Sequence, residues 1–95
     1  MEQRRAQRFD MKLPFELIRS GSGSVSGETM NVSSGGVLFL ADAKLRIGEP
    51  IEYLITLPAT SGRGGISRLR CVGKIVRFAE QAGIAATLER YEFMR

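Results

Sequence analysis

The sequence predicts a small all-β domain that folds as an antiparallel barrel or sandwich. Several short segments alternate apolar and polar residues at every second position, which is the period of a half-buried strand. Turn-forming residues separate these segments at hairpin-like spacing, and almost none of the chain has a helical period. About six strands result, and closing them into one sheet removes exposed edges. The length of 95 residues fits one domain rather than two.

The first half of the chain is predicted to contain an arm and three strands. Residues 1–9 are polar and arginine-rich and lack an apolar period, so we expect a flexible arm. The single folded domain is then residues 10–95. Its first strands are predicted from Met11 to Leu17, from Val25 to Met30 and, buried on both faces, from Val37 to Ala41.

The second half is predicted to contain three further strands. They run from Ile51 to Leu57, from Ser67 to Phe78 and from Gly83 to Leu88. A glycine-rich loop at residues 60–65 and a turn at residues 80–82 separate them. The alternation of the longest strand loses phase near Gly73, which indicates a bulge or a sharp bend. Residues 89–95 are expected to form at most a short C-terminal helical turn.

The charge of the chain favours an anionic partner. Hydrophobic residues make up 43% of the sequence, enough for one buried core, and charged residues make up 25%. The net charge of +4 favours a nucleotide, a nucleic acid or an acidic protein surface. The excess lies in two basic groups: Arg4, Arg5 and Arg8 in the arm, and Arg63, Arg68, Arg70, Lys74 and Arg77 in the second half.

The residues needed for catalysis or for a metal site are missing from the sequence. Histidine is absent, which removes Ser/His/Asp and Cys/His nucleophilic arrangements. The single cysteine, Cys71, cannot form a zinc site, and its apolar strand context indicates a core residue. Carboxylates are scattered singly, and no phosphate-binding glycine loop is present. We therefore expect a binding module and not an enzyme, with no catalytic residues, no metal and no cofactor.

The cysteine content and the hydropathy favour a cytoplasmic protein. A single cysteine excludes an intramolecular disulfide and fits a reducing compartment. No apolar segment is long enough to span a membrane, so we expect no membrane insertion. The charged N-terminus also lacks the apolar core of a signal peptide.

The segment Asn31-Val32-Ser33-Ser34-Gly35-Gly36 combines an amide, two hydroxyls and two glycines just before an apolar strand. Glycines and short side chains let a ligand approach the main chain, and Asn and Ser supply donors and acceptors at the same place. The same residue types also dominate ordinary turns for conformational reasons alone. Taken by itself, the segment fits either interpretation.

The arginines of the arm are a second candidate for ligand binding. Arg4 and Arg8 are separated by three residues, and Arg5 stands beside the first. A guanidinium presents a rigid fork of donors that fits phosphate oxygens or the O6/N7 edge of guanine. The alternative is a solvated basic tail, which is common where like charges cluster at a terminus.

Together the two segments resemble the paired motifs of the PilZ domain family. Arg4-Arg5-Ala6-Gln7-Arg8 is similar to the Arg-x-x-x-Arg motif of its N-terminal arm, and Asn31–Gly36 is similar to its Asn-x-Ser-x-x-Gly motif. Residues 82–86 also resemble the closing strand of that family. The resemblance covers nearly the whole chain. It implies a six-stranded β-barrel that binds the bacterial second messenger cyclic di-GMP.

The resemblance also implies roles for individual residues. In the family the two motif arginines, here Arg4 and Arg8, hold guanine and phosphate. The motif positions on the barrel correspond to Asn31, Ser33 and Gly36. Three neighbours at variable positions complete the expected binding site: Arg5, Ser34 and Gly35. Ligand binding is expected to order the arm and present a new surface to an effector protein, whose identity the sequence does not reveal.

Two other functions remain open from the sequence. One is a PilZ-type adaptor that binds proteins and no nucleotide. The other is a small barrel that binds nucleic acid through the second basic group. Single-strand binders usually interleave aromatic residues with their basic ones, and that region contains only Phe78. We therefore expect no DNA partner, and a solvated strand face is the simpler interpretation of the second basic group.

Overall fold

The computed structural model describes residues 8–21, 23–58 and 67–94, which form seven β-strands and no helix. The all-β class predicted from the alternating pattern is confirmed. The strands are β1 (Pro14–Arg19), β2 (Gly23–Ser33), β3 (Gly36–Ala41), β4 (Pro50–Leu57), β5 (Ser67–Phe78), β6 (Ile84–Thr87) and β7 (Arg90–Met94).

Six of the strands form a closed antiparallel barrel. Its order is β1-β2-β3-β6-β5-β4, and pairing of β4 with both β5 and β1 closes the circle. The seventh strand, β7, pairs with residues 68–72 of β5, whereas β6 pairs with residues 75–78 of the same strand. Strands β6 and β7 therefore follow one another along one side of β5. The predicted six-stranded barrel is present, with one additional strand beside it.

The inward-facing residues of the strands fill the barrel, as the period-two pattern predicted. Phe15 stacks on Phe39, with ring centroids 4.1 Å apart, and on Tyr53 at 5.3 Å. All three rings are buried, and burial of this apolar surface is the main stabilising contribution to the fold. The Tyr53 hydroxyl donates a hydrogen bond to the Thr87 carbonyl at 2.9 Å. Burial raises the pKa of Tyr53 far above its usual range, which keeps the hydroxyl protonated as this donor.

A buried threonine on β2 holds the segment that leads from the arm into the barrel. Thr29 Oγ1 donates to the Met11 carbonyl at 2.5 Å and accepts a hydrogen bond from the Leu13 amide at 2.8 Å. The Thr29 amide also donates to the Leu13 carbonyl at 2.9 Å. These bonds satisfy the Met11 carbonyl and the amide and carbonyl of Leu13, which precede β1 in the chain. They explain why β1 starts at Pro14, later than the predicted Met11.

Two predictions about β2 and β3 are wrong. Strand β2 continues to Ser33 and not to Met30, because a register shift between Thr29 and Asn31 lets its end pair with β3. Strand β3 is not buried on both faces: Leu38 and Leu40 are only half-buried. They lie on the outer face of the barrel, which no second layer of the described residues covers.

The second half also departs from prediction at three places. Residues 90–94 form β7 and not a helical turn, since they find main-chain partners on β5. The strand predicted from Gly83 to Leu88 is shorter and runs from Ile84 to Thr87. The irregularity of β5 lies between Ile75 and Arg77 and not at Gly73. Gly73 instead permits close approach, because a Cβ there would collide with the Thr87 carbonyl. The predicted loop at residues 60–65 lies outside the described residues.

Candidate functional site

The segment predicted as a six-residue turn is the end of a β-hairpin. Asn31–Ser33 belong to β2, the turn itself is Ser34 and Gly35, and Gly36 begins β3. The Ser33 hydroxyl accepts a hydrogen bond from the Gly35 amide at 3.2 Å and donates to the Gly36 carbonyl at 3.3 Å. Ser33 therefore fixes the shape of the turn as well as presenting a hydroxyl at its base.

The spacing of Asn31 and Ser33 follows from strand geometry. Successive side chains of a strand point to opposite faces, so residues two apart share a face. Val32, between them, packs against the barrel core, which places Asn31 and Ser33 on the outside. The Asn-x-Ser pattern thus presents an amide and a hydroxyl side by side on the outer surface of the barrel.

The last residues of the predicted arm pair with this hairpin. Phe9 and Val32 form an antiparallel bridge, with main-chain hydrogen bonds of 2.8 and 2.9 Å. Next to the bridge, Nη1 of Arg8 donates to Oδ1 of Asn31 at 3.3 Å. One motif arginine is therefore in contact with the first residue of the second motif. Arg4 and Arg5, the other predicted arm residues of the site, lie outside the described residues.

The two adjacent glycines of the motif have different structural roles. A Cβ at Gly36 would lie 2.7 Å from the Ala86 carbonyl oxygen, so only glycine lets β3 pair closely with β6 at this point. A Cβ at Gly35 would meet no atom within 4 Å. The main chain at Gly35 is therefore open to an approaching molecule, and its carbonyl accepts a hydrogen bond from the Leu88 amide at 3.0 Å.

A row of outward-facing residues extends from the hairpin across four strands. Residues that stand directly opposite one another in paired strands share a face. The row consists of Asn31 on β2, Leu38 on β3, Ala85 on β6 and Arg77 on β5. With strands spaced about 4.8 Å apart, its two ends are roughly 14 Å apart. An amide and a guanidinium thus stand at the two ends of a short apolar floor.

Three residues of the row, Leu38, Ala85 and Arg77, line a cleft of about 330 Å³ on the outer surface of the barrel, and Asn31 lies just outside it. Leu38, Val76 and Ala85 supply apolar surface in this cleft. Its polar groups come from both motifs and from the opposite wall: Arg8, Ser33, Thr87 and Arg77, together with the main chain of Gly35 and Gly36. Ser34, also predicted as a site residue, is exposed on the turn and does not line the cleft.

The family model of the PilZ domain matches residues 2–93 of the chain. This chain belongs to the PilZ domain family. Its structure is similar to that of the Bacillus subtilis inhibitor of motility, MotI/DgrA, with a TM-score of 0.70 and 18% sequence identity. The match covers 97% of this chain and 44% of that one, so the chain spans less than half of that protein's length. A comparison with curated proteins found no match.

Family membership supports a receptor or adaptor role related to cyclic di-GMP and not an enzymatic one. The structural likeness, at this identity, concerns the fold. The described residues of the two PilZ motifs lie together. Arg8, Ser33, Gly35 and Gly36 line the cleft, and Asn31 contacts Arg8 at the edge of the cleft.

Arg77 is the charged cleft residue that the sequence did not assign to the PilZ site. It was grouped with the second basic group, far from Arg8 in the chain, and strand periodicity alone does not predict which strands become neighbours. The register shift between Ile75 and Arg77 sets Arg77 opposite Ala85. The loss of alternation in the sequence of this strand did indicate an irregularity, but it indicated Gly73 and not the observed position between Ile75 and Arg77.

The second basic group does not form one continuous cationic surface. Arg70 is hydrogen-bonded to Glu52 and, at 3.3 Å, to Glu92, and Lys74 lies 4.0 Å from Glu89. These carboxylates offset part of the positive charge on β5. Arg63 lies outside the described residues, while Arg77 belongs to the cleft. The observed pairing favours a solvated, ion-paired strand face over a track for nucleic acid.

Cys71 is a core residue in the structure. Its side chain is fully buried, and burial raises the pKa of the thiol to about 11. The nucleophilic thiolate is therefore scarce at neutral pH. Across the described ranges, no group of three or more Cys, Asp or Glu residues is arranged to hold a metal ion. The same part of the chain contains no helix long and apolar enough to cross a membrane.

Proposed function

We propose that this PilZ domain is a receptor for cyclic di-GMP, which binds in the cleft beside the Asn31–Gly36 hairpin. The observation that carries the proposal is the 3.3 Å contact between Arg8 and Asn31 at a cleft that contains Ser33 and Arg77. Guanidinium groups, small polar donors and an accessible main chain thereby meet at one place.

The chemistry of the cleft matches the two kinds of group that cyclic di-GMP carries. Its phosphates and the O6/N7 edges of its guanines suit the forked donors of arginine, and Arg8 and Arg77 both line the cleft. The flat faces of the purines suit the apolar floor formed by Leu38, Val76 and Ala85. A cleft with cations on its walls and apolar surface below accommodates both parts of the ligand.

The exposed Arg8–Asn31 contact is suited to exchange for ligand contacts. A single solvent-exposed hydrogen bond contributes little to stability, so its donors are readily redirected toward a phosphate or a guanine. In this proposal Arg4 joins Arg8 on the ligand, with Arg5 and Ser34 at its margin. The ordered arm and the bound ligand then form the surface that an effector protein recognises.

Titration calorimetry with cyclic di-GMP tests the proposal. The wild-type chain should bind, and Arg8→Ala should weaken binding roughly tenfold to a hundredfold, since a charged hydrogen bond contributes about 1.5–3 kcal/mol. Arg46→Ala is the matched control, because Arg46 is exposed on the loop between β3 and β4 and does not line the cleft. It should bind as the wild type does. Absence of binding by the wild-type chain would instead favour the adaptor that takes no nucleotide.

A further inference from the structure

Strand β7 has one edge that pairs with none of the described residues, and it carries two exposed aromatic residues. Within the described residues it pairs with β5 alone and ends the sheet. Tyr91 and Phe93 are 60% and 65% exposed, although they belong to a regular strand. Proteins commonly protect such an edge with proline, a bulge or inward-pointing charges. The five residues of β7 contain no proline, and their pairing with β5 shows no register shift.

The two faces of β7 have different chemistry. Tyr91 and Phe93 stand opposite Cys71 and Leu69 of β5, which places both aromatics on one face, where their rings meet edge to face at 6.3 Å. The charged residues of the strand, Arg90 and Glu92, occupy the other face. There Glu92 accepts a hydrogen bond from Arg70 at 3.3 Å.

We propose that β7 pairs antiparallel with β7 of a second copy of this chain, around a twofold axis at Glu92. In this register Tyr91 stands opposite Phe93 of the second copy, and Phe93 stands opposite Tyr91 of the second copy. Two cross-strand aromatic pairs therefore form on one face, and such pairs are among the favourable ones in antiparallel sheets. The pairing also satisfies the main-chain groups along the exposed edge.

Charge complementarity on the face that carries Arg90 and Glu92 favours a second copy of this chain as the partner of β7. In the same register Arg90 lies diagonal to Glu92 of the second copy, within reach of a long side chain. The two Glu92 carboxylates meet at the axis, where like charges would repel. Each already has Arg70 of its own chain as a partner and gains Arg90 of the other. Four guanidinium groups thus surround two carboxylates. Because the contact is twofold, the aromatic pair and the Arg90–Glu92 pair each occur twice.

The dimer seam would begin close to the cleft without sharing its binding residues. Leu88, between β6 and β7, donates its amide to the Gly35 carbonyl, and Thr87 lines the cleft. No residue of β7 lines that cleft. The dimer seam and the cleft therefore share no residue, and separate variants can test the two.

Sedimentation of the full chain without nucleotide tests the dimer. The expected mass at high protein concentration is twice the 10.5 kDa of one chain. Phe93→Lys should weaken dimerisation at least about tenfold, because it removes both aromatic pairs. Ile47→Lys is the matched control, since Ile47 is 60% exposed but lies on a loop away from β7. A monomeric wild type, or equal effects of the two variants, would overturn the proposal.

A charge-exchange experiment tests the register itself. Arg90→Glu alone sets a new carboxylate against Glu92 of the second copy, and Glu92→Arg alone sets a new guanidinium against Arg90 of the second copy. Each variant should therefore sediment as a monomer. An equimolar mixture of the two variants pairs opposite charges at every diagonal and should restore the dimer. Restoration also shows that both variants are folded. If the mixture stays monomeric while both variants melt as folded proteins, the proposed register is wrong.

Discussion

Nη1 of Arg8 lies 3.3 Å from Oδ1 of Asn31, although 23 positions separate the two residues in the chain. The adjacent Phe9–Val32 bridge fixes this approach through the main chain. The bridge thus keeps Arg8 beside the residues that, in the proposed function, bind the ligand. Positioning a binding group in advance lowers the entropy that must be lost on binding.

Arg77 is expected to contact the ligand from the wall opposite Arg8. Because it lines the cleft and stands opposite Ala85, replacing it by alanine should remove a charged contact and weaken cyclic di-GMP binding about tenfold or more. Arg68→Ala is the control, since Arg68 is exposed on the same strand but does not line the cleft. Calorimetry that finds the same affinity for both variants would remove Arg77 from the site.

The two motif glycines should respond differently to alanine. Gly36→Ala places a Cβ 2.7 Å from a main-chain oxygen of β6, so unfolding free energy should fall by about 1–3 kcal/mol. Gly35→Ala meets no atom within 4 Å and should change stability by less than about 1 kcal/mol. Urea denaturation of the two variants measures this difference. Equal stabilities would contradict the close approach of β3 and β6.

Thr29 should be important for stability through its hydroxyl. Thr29→Val keeps the shape but leaves the Leu13 amide without its acceptor, which should lower the unfolding free energy by about 1–3 kcal/mol. Ser26→Ala, on an exposed position of the same strand, serves as the control and should be nearly neutral. Thermal melting of the two variants compares them. A neutral Thr29→Val would contradict the stabilising role of the hydroxyl.

Burial of Cys71 predicts lower stability in alkaline solution. The folded thiol has a pKa raised to about 11 from the ordinary value of 9.0, so the unfolded chain loses its proton first. The thiol's contribution is therefore fully present below pH 9 and is lost as the pH rises toward 11. Between pH 8 and 10 the loss should be about 1 kcal/mol.

The matched variant for this experiment is Cys71→Ala. It should be less stable than the wild type at pH 8, because it leaves a small cavity, but its stability should fall less steeply with pH. Denaturant unfolding at several pH values gives both slopes. Parallel slopes would show that Cys71 does not titrate differently in the folded protein. Tyr53 also titrates in alkaline solution, but burial rather than Cys71 is the largest cause of its raised pKa, so most of its contribution is common to both proteins.

The elements that sequence reasoning located well are those whose signals are local. Alternation of Ile51, Tyr53, Ile55 and Leu57 predicted the inward face of β4; the first three are buried and Leu57 is half-buried. The long strand from Ser67 to Phe78 was predicted with its observed ends. Both signals depend only on which face of a strand each residue occupies.

The features that sequence reasoning placed wrongly depend on which strands become neighbours. Residues 90–94 alternate charged and aromatic side chains, but the segment is short, and it forms β7 because β5 offers main-chain partners. Leu38, on the outer face of β3, lines the cleft, and an apolar run alone does not distinguish such a face from a buried one. Arg77 joins the site only through the register of β5 with β6. These long-range relations are set by tertiary pairing and not by local propensity.

An NMR titration with cyclic di-GMP tests the location of the ligand most directly. The proposal predicts that the amide signals of Ser33, Gly35 and Arg77 shift as the ligand is added, because these residues line one cleft. The amide signals of Ile47 and Gly48, on the loop between β3 and β4, should not shift. Shifts confined to that loop, or no shifts at saturating ligand, would contradict a cyclic di-GMP site beside the hairpin.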